Sequence, residues 1–331
     1  MNRRLAYFFL LSTLLLLTPY RSPAPLIYTP GEGWIYEPVG GEGRWQRMRA
    51  KDQLIVAQDA FDKKDYSLAL RAARRTVRVW PLSDYAPQAQ YLVGRCYQER
   101  GFSERAFKEY QKLLELYPKF VNYEEVLQRQ YEIANGFLDG EWFRLWGYIP
   151  FFPSMEKTAD LYQKIVKNGP YSEVAPQAQL KIGEAREKQS NYPEAVKAYE
   201  RAADRYNDRP AIAAEAFFRQ GLAYHKQAKK ADYDQNTAAQ AIATFTDFIT
   251  LFPEDQRVPQ AQKIISELKT EQARGSLEIA RYYEKGNLLP AAKIYYNDVV
   301  NLLLDEPDSP YAVQAREKLE ALNQRLQSAS K

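Results

Sequence analysis

Apolar residues return along this chain at the three-and-four spacing of helices that are buried on one side. From about Arg47 the first such face runs through Leu54, Val56, Ala57, Ala60 and Phe61. Asp65-Tyr66 then marks a turn, and Tyr66 to Val79 predicts a second helix. The sharpest stretch follows, where Gly94, Tyr97, Ala106, Tyr110 and Pro118 stand in order. Small residues let two antiparallel helices approach closely, aromatics fill the gap between them, and proline ends the second helix. Further on, periodicity predicts one long helix from Arg257 towards Lys285, with Gly275 its weak point. A last helix, from about Ser309 to Leu326, carries Arg316, Glu317, Lys318, Asn323 and Arg325, which suit a closing helix with one face in water.

A small residue, an aromatic three on, Ala twelve on, an aromatic four after that and a terminal Pro form the pattern of a tetratricopeptide (TPR) repeat. Five more copies follow from the same anchors. The first has Ala57, Ala69 and Pro81; the third has Ala134 and, beyond an insertion, Tyr162 and Pro170. The fourth has Gly183, Ala195, Tyr199 and Ala202, and the fifth Phe217, Gly221, Tyr224, Ala241, Phe245 and Pro253 around a polar insertion. The sixth has Ala280, Tyr283, Ala292 and Tyr296. A second echo marks the first helices of pairs: Tyr85-Ala-Pro-Gln-Ala-Gln, Val174-Ala-Pro-Gln-Ala-Gln, Val258-Pro-Gln-Ala-Gln and Tyr311-Ala-Val-Gln-Ala. In the first three of these the Pro sits at a first helical turn, where its missing N–H costs nothing. The expected fold is all-α, a TPR-like right-handed α-solenoid of about six helix pairs over residues 47–327 with a C-terminal capping helix.

The chain opens with Met1-Asn-Arg-Arg, runs apolar from Leu5 to Leu17 and turns polar near Pro19. A basic start before an apolar run of this length predicts a secretory signal or signal anchor over residues 1–24. Ser22-Pro-Ala24 offers small residues for cleavage but Pro25 hinders it, so an uncleaved inner-membrane tether stays open beside cleavage. Residues 25–46 hold Pro25, Pro30, Pro38 and two Gly-Glu-Gly runs, which predict an extended arm pinned by Trp34, Tyr36 and Trp45. Residues 328–331 form a tail.

Net charge is +4, which does not mark a nucleic-acid binder, but residues 44–78 carry ten Lys or Arg against four Asp. Arg71, Arg74, Arg75 and Arg78 share one stripe of the second helix. That stripe is either a solvated face or a docking patch for an acidic partner or anionic headgroups. The insertion at 137–153 holds seven aromatics in seventeen residues. Its Trp142, Phe143 and Trp146 either fold back as a plug or mark an interaction site. Cys96 is the only cysteine, so no intrachain disulfide is available, and a buried role suits it. His225 is the only histidine and reads as a solvated or capping residue. Glu184 and Glu187 form a carboxylate pair on a charged helix with nothing to raise a pKa. No catalytic residue, metal set or cofactor is expected.

Three features together resemble the BamD (YfiO) family of outer-membrane protein assembly factors over residues 47–327. They are Ala-x-x-x-Tyr-x-x-Leu-Leu-x-x-Tyr-Pro at 106–118, the aromatic insertion before Ala159-Asp-Leu-Tyr-Gln-Lys, and Leu268-Lys-Thr with Glu278-Ile-Ala-Arg-Tyr-Tyr-Glu-Lys-Gly286 continuing to Asp305-Glu-Pro-Asp-Ser309. The resemblance implies a non-catalytic periplasmic TPR adaptor associated with the outer membrane. It also implies protein partners: unfolded β-barrel clients, and a barrel-insertion scaffold held by the last repeat around Tyr282, Tyr283 and Lys285. The chain departs from the family in its six repeats, where five are typical, and in having no Cys after the apolar run. Another periplasmic TPR scaffold, serving cell division or peptidoglycan machinery, is the competing expectation.

Overall fold

A computed structural model describes residues 26–31, 33–36, 45–145, 149–230 and 234–329. The signal-like stretch 1–24 and Trp146 lie outside the described residues. The chain divides into two compact units, residues 1–126 and 127–331. The first holds α1 (Ala50–Asp62), α2 (Tyr66–Val79), α3 (Ala86–Glu99) and α4 (Ser103–Leu116), and α5 (Tyr123–Leu138) starts at its end. The second holds α6 (Met155–Asn168), α7 (Ala175–Lys188), α8 (Tyr192–Arg205), α9 (Pro210–Lys230), α10 (Gln235–Leu251), α11 (Val258–Lys285), α12 (Leu289–Leu302) and α13 (Pro310–Ala329). In chain order the thirteen helices described make six pairs and a closing helix, as the periodicity predicts, and α11 runs unbroken through Gly275.

Why these pairs close is visible at the small residues. A Cβ placed on Gly94 would stand 2.4 Å from the Tyr110 ring, one on Gly183 2.4 Å from Tyr199, and one on Gly221 2.7 Å from Phe245. In each case the aromatic of the second helix lies against bare backbone of the first. In three of the pairs a tyrosine hydroxyl returns to the first helix, four residues beyond the small one. Tyr110 donates to Gln98 at 2.8 Å, Tyr199 to Glu187 at 2.6 Å and Tyr296 to Glu284 at 2.7 Å. A buried ring with its polar tip satisfied clamps the two helices at one separation.

The turn inside four of the six pairs follows an equally regular rule. Lys64, Gly101, Ser190 and Asn287 all adopt left-handed backbone, with φ of 60°, 70°, 57° and 56°. The next residue's N–H then reaches back to the carbonyl five residues earlier, over 2.8–3.0 Å. This is the Schellman way of satisfying the last carbonyls of a helix.

Successive pairs share their cores. In the second unit one buried cluster joins α7, α8 and α9 through Leu180, Tyr199 and Ala216. Another joins α9, α10 and α11 through Phe218, Phe248 and Leu268. A third joins α11, α12 and α13 through Leu277, Tyr296 and Leu322. In the second unit each of these clusters spans three helices, so a pair depends on its neighbour, as in a stacked repeat protein.

A longer period is superposed on the repeat. Gln90 and Gln179, 89 positions apart, are both buried and each donates to a backbone carbonyl of the partner helix. The acceptors are Glu109 at 3.0 Å and Ala198 at 2.9 Å. At the same offset Tyr117 donates to Pro81 O and Tyr206 to Pro170 O, at 3.0 and 3.1 Å. The last Gln of the Ala-Pro-Gln-Ala-Gln echo is thus an interhelical tie. Gln179→Leu, which leaves the Ala198 carbonyl without this donor, is expected to destabilise the second unit by about 1 kcal/mol. Urea unfolding checks this, and an unchanged midpoint would remove the tie from the account.

Among the described residues strand is confined to two short antiparallel hairpins. β1 (Leu26–Thr29) pairs with β2 (Gly33–Tyr36) across Pro30 and Gly31, where the arm was expected to be extended. Gly31 supplies the positive φ of 81° that the turn needs, and its carbonyl accepts from Asp84 N at 2.7 Å. In the insertion, β3 (Phe143–Leu145) pairs with β4 (Ile149–Phe152), and Phe137 and Leu138 still belong to α5.

Candidate protein-docking surfaces

The arginine stripe on α2 does not stand alone in solvent. Arg71 lies over the Trp45 ring at 5.7 Å, Arg74 over Tyr97 at 5.2 Å and Arg75 over Trp80 at 5.7 Å. Arg74 also donates to the Tyr97 hydroxyl. Trp45 is held by Gln53, whose side-chain nitrogen donates to its carbonyl at 3.2 Å. Arg78 is exposed on the same helix. Three of the four guanidiniums therefore pack on rings, which fixes their direction at the cost of their freedom.

In the insertion the aromatics divide. Phe143 is only 3% exposed and stacks on Phe137, with centroids 4.1 Å apart and planes at 10°. Lys157 lies over the same Phe143 ring at 5.2 Å. Phe143 is thus part of a core, whereas neighbouring Trp142 is 52% exposed and available to a partner.

At the C-terminal end the three residues expected to act together are adjacent but differ in burial. Tyr282 is 74% exposed, and Lys285 is exposed as well. Tyr283 is half-buried and stacks on Tyr295, with centroids at 5.5 Å and planes at 10°. It meets Tyr282 edge-on at 5.7 Å. The ring pair braces the turn of helix that presents Tyr282. Beneath it, Glu284 accepts from Tyr296 and lies 3.2 Å from Lys318 of α13.

Sequence reasoning missed a groove in the first unit. A cleft of about 810 Å³ runs between α1, α3 and the turn after α4. Phe61, Tyr91, Leu92 and Phe120 give it an apolar wall, with Gln58, Gln88 and Arg95 among them. Tyr91 is fixed by its hydroxyl on Glu125 and by the Phe120 ring at 5.8 Å, while Arg95 covers Phe61 at 5.1 Å. Leu116 and Val121 at its margin are exposed.

Groups with intrinsic chemistry are occupied structurally. Burial pushes the Cys96 thiol up to about 12, so it stays protonated and inert. Burial also works against the charge on Glu184, but the hydrogen bond and charge of Lys181, with Arg219 and Lys188, hold its carboxyl below the usual range. Glu187 accepts from Tyr199 and from Lys226. Half-buried His225 is lowered by burial and then by Lys229, which keeps it neutral at pH 7. Among the described residues no cluster suits a metal ion, and no helix is long and apolar enough to cross a membrane.

Comparison with known proteins adds the family context. Residues 154–302 match the YfiO family, described as outer membrane lipoprotein, and residues 57–119 match the tetratricopeptide repeat family. Over 136 residues the chain is 26% identical to the outer membrane protein assembly factor BamD of Caulobacter vibrioides, covering 41% of this chain and 44% of that protein. The chain is similar to BamD and to tetratricopeptide-repeat proteins. The chain thus spans less than half the length of that curated relative. Among solved structures, MamA is 15% identical, with 62% of this chain and 92% of that one covered at a TM-score of 0.35. The C-terminal part of a TPR protein from Cytophaga hutchinsonii is 14% identical, with 81% and 87% covered at 0.36. Neither adds to what the helices themselves show. The YfiO match takes in Tyr282, Tyr283 and Lys285 and starts beyond the arginine stripe, which falls in the repeat match. The BamD-like region therefore includes only the C-terminal one of these two surfaces.

Proposed function

We propose that this BamD-like protein is a non-catalytic adaptor of outer-membrane protein assembly that works in the periplasm. The observation that carries the reading is the exposed Tyr282–Lys285 turn inside the YfiO-matched region, braced from behind by Tyr283 on Tyr295. Tyrosine is among the residue types that dominate tight protein contacts. In this reading the C-terminal repeat holds the barrel-insertion scaffold. The N-terminal half, with its basic stripe, Trp142 and the groove of the first unit, receives the client or a membrane surface.

The test separates the two ends. Tyr282→Ala with Lys285→Glu is expected to weaken recovery of the scaffold from crosslinked envelopes by roughly tenfold or more, with the helical signal intact. Arg71→Glu with Arg78→Glu spares the Arg74–Tyr97 and Arg75–Trp80 contacts, and is expected to reduce client recovery alone. If both double variants damage one and the same interaction, the two-ended reading fails. If neither changes recovery of envelope partners, the adaptor reading itself fails.

A further inference from the structure

The second unit contains a groove that the adaptor reading does not use, between α6, α7 and α8, with a volume of about 840 Å³. Val166 and Ile182 form its apolar floor, and Lys167, Arg186, Arg201 and Arg205 stand around it. Lys167, Arg201 and Arg205 are exposed, and none of them belongs to an ion pair among the described residues. Of the two carboxylates at the groove, Glu194 is committed to Lys197 at 2.8 Å, and Asp204 is exposed at the end of α8. The Glu194 carboxyl is held below its ordinary range, first by Lys197 and further by Arg186 and Arg201, so a carboxylate placed here feels a positive field.

The 89-residue period supplies an internal comparison. Counting back by that offset, Lys167, Arg186 and Arg201 correspond to Arg78, Tyr97 and Lys112 of the first unit. There two guanidiniums lie over the Tyr97 ring, Arg74 at 5.2 Å and Arg105 at 5.9 Å. At that surface of the first unit Arg78 is exposed and Lys112 is paired with Glu109 at 3.0 Å, while Arg74 and Arg105 are spent on a ring of the same chain. In the second unit Arg186 replaces that ring, Gln163 and Glu194 replace the two arginines, and a cleft remains where Lys167 and Arg201 are exposed and outside any ion pair among the described residues.

We propose that this groove binds an acidic segment of a partner protein. The segment lies extended, with carboxylates on Lys167, Arg201 and Arg205 and apolar side chains against Val166 and Ile182. A bilayer offers its charge as a broad plane, whereas these cations flank a cleft with an apolar floor, which an alternating chain fits and a headgroup layer does not. Arginine's planar fork suits carboxylates in such a position. The inference does not depend on the scaffold or client assignments.

The test uses the whole protein and a fluorescein-labelled peptide of alternating Glu and Leu, read by fluorescence anisotropy. The peptide is expected to bind, a version with Gln for Glu is expected to bind more weakly, and added salt should weaken the first selectively. Lys167→Glu with Arg201→Glu is expected to weaken the Glu peptide by roughly tenfold or more, and to favour a Lys–Leu peptide instead. Both side chains are exposed and outside ion pairs, so circular dichroism should show an unchanged melt. Equal binding of the Glu peptide by wild type and variant, or no binding of it at all, overturns the proposal. So does wild-type binding to phosphatidylglycerol vesicles, lost in the variant, without binding to the peptide.

Discussion

Tyr199→Ala is expected to cost the second unit about 3–5 kcal/mol, the range for removing a fully buried aromatic side chain. At the size of this unit that lowers the melting temperature by roughly 10 °C. The side chain has no exposed surface, and its ring lies against Gly183, at which a Cβ would fall 2.4 Å away. Its hydroxyl donates to Glu187 at 2.6 Å, and burial followed by the Glu187 charge keeps the phenol protonated far above neutrality. Removing the ring therefore opens a cavity where two helices and the next repeat meet, and strips a buried donor from a carboxylate. Tyr199→Phe isolates the hydroxyl and should cost about 1–2 kcal/mol. The decisive measurement is a double-mutant cycle. Gly183→Ala should cost about 1–3 kcal/mol beside Tyr199, through overpacking, and close to nothing beside Ala at position 199. If Gly183→Ala costs the same in both backgrounds, close approach at this glycine is not what closes the pair.

That contact was legible in the sequence because its physics is a matter of spacing. Gly94 and Tyr110, or Gly183 and Tyr199, lie sixteen apart whatever surrounds them, so one period reveals the small residue and the ring that covers it. The turn between the helices was not legible in the same way. Lys64 and Ser190 take left-handed backbone with side chains that do not favour it. They do so because the clamped helices on either side leave the connecting residue no other conformation. Local preference yields there to packing.

The docking surfaces show the same division. Aromatic density marked the insertion, but which ring faces inward depends on the hairpin and on Phe137, so Phe143 became core and Trp142 stayed outside. The arginine stripe was visible at its three-and-four spacing, yet two of the rings beneath it, Trp45 and Tyr97, come from other segments, while Trp80 caps the same helix. The grooves were least legible of all. Each is a space between helices, and no single segment of sequence carries the shape of a gap.

Arg257→Leu is the second large effect expected, and its pH dependence identifies its cause. Arg257 precedes α11, where its Nε and one terminal nitrogen reach the two carboxylate oxygens of Asp255 at 2.8 and 2.7 Å. Its other terminal nitrogen meets Glu215, and the guanidinium covers Phe218 at 4.9 Å and Phe248 at 5.5 Å. One cation thus joins α9, α10 and the start of α11. The group is partly exposed, so solvent screens the charge pairs and only the lower end of their usual value is taken; with the ring contacts the loss comes to roughly 2 kcal/mol near neutral pH. Hydrogen bonding from the Arg257 side chain is the main reason the Asp255 carboxyl sits below its ordinary 3.8, with burial opposing it and the Arg257 N–H assisting. A carboxylate depressed in the folded state contributes stability that is present above its unfolded pKa and is lost as pH falls through the folded one. The gap between wild type and Arg257→Leu should therefore be widest at about pH 7 and shrink towards about pH 3, as Asp255 is protonated and its hold on the guanidinium ends. Urea unfolding of both proteins across that range measures the gap directly. A difference that stays constant with pH would assign the whole effect to the rings of Phe218 and Phe248 and none of it to the carboxylate.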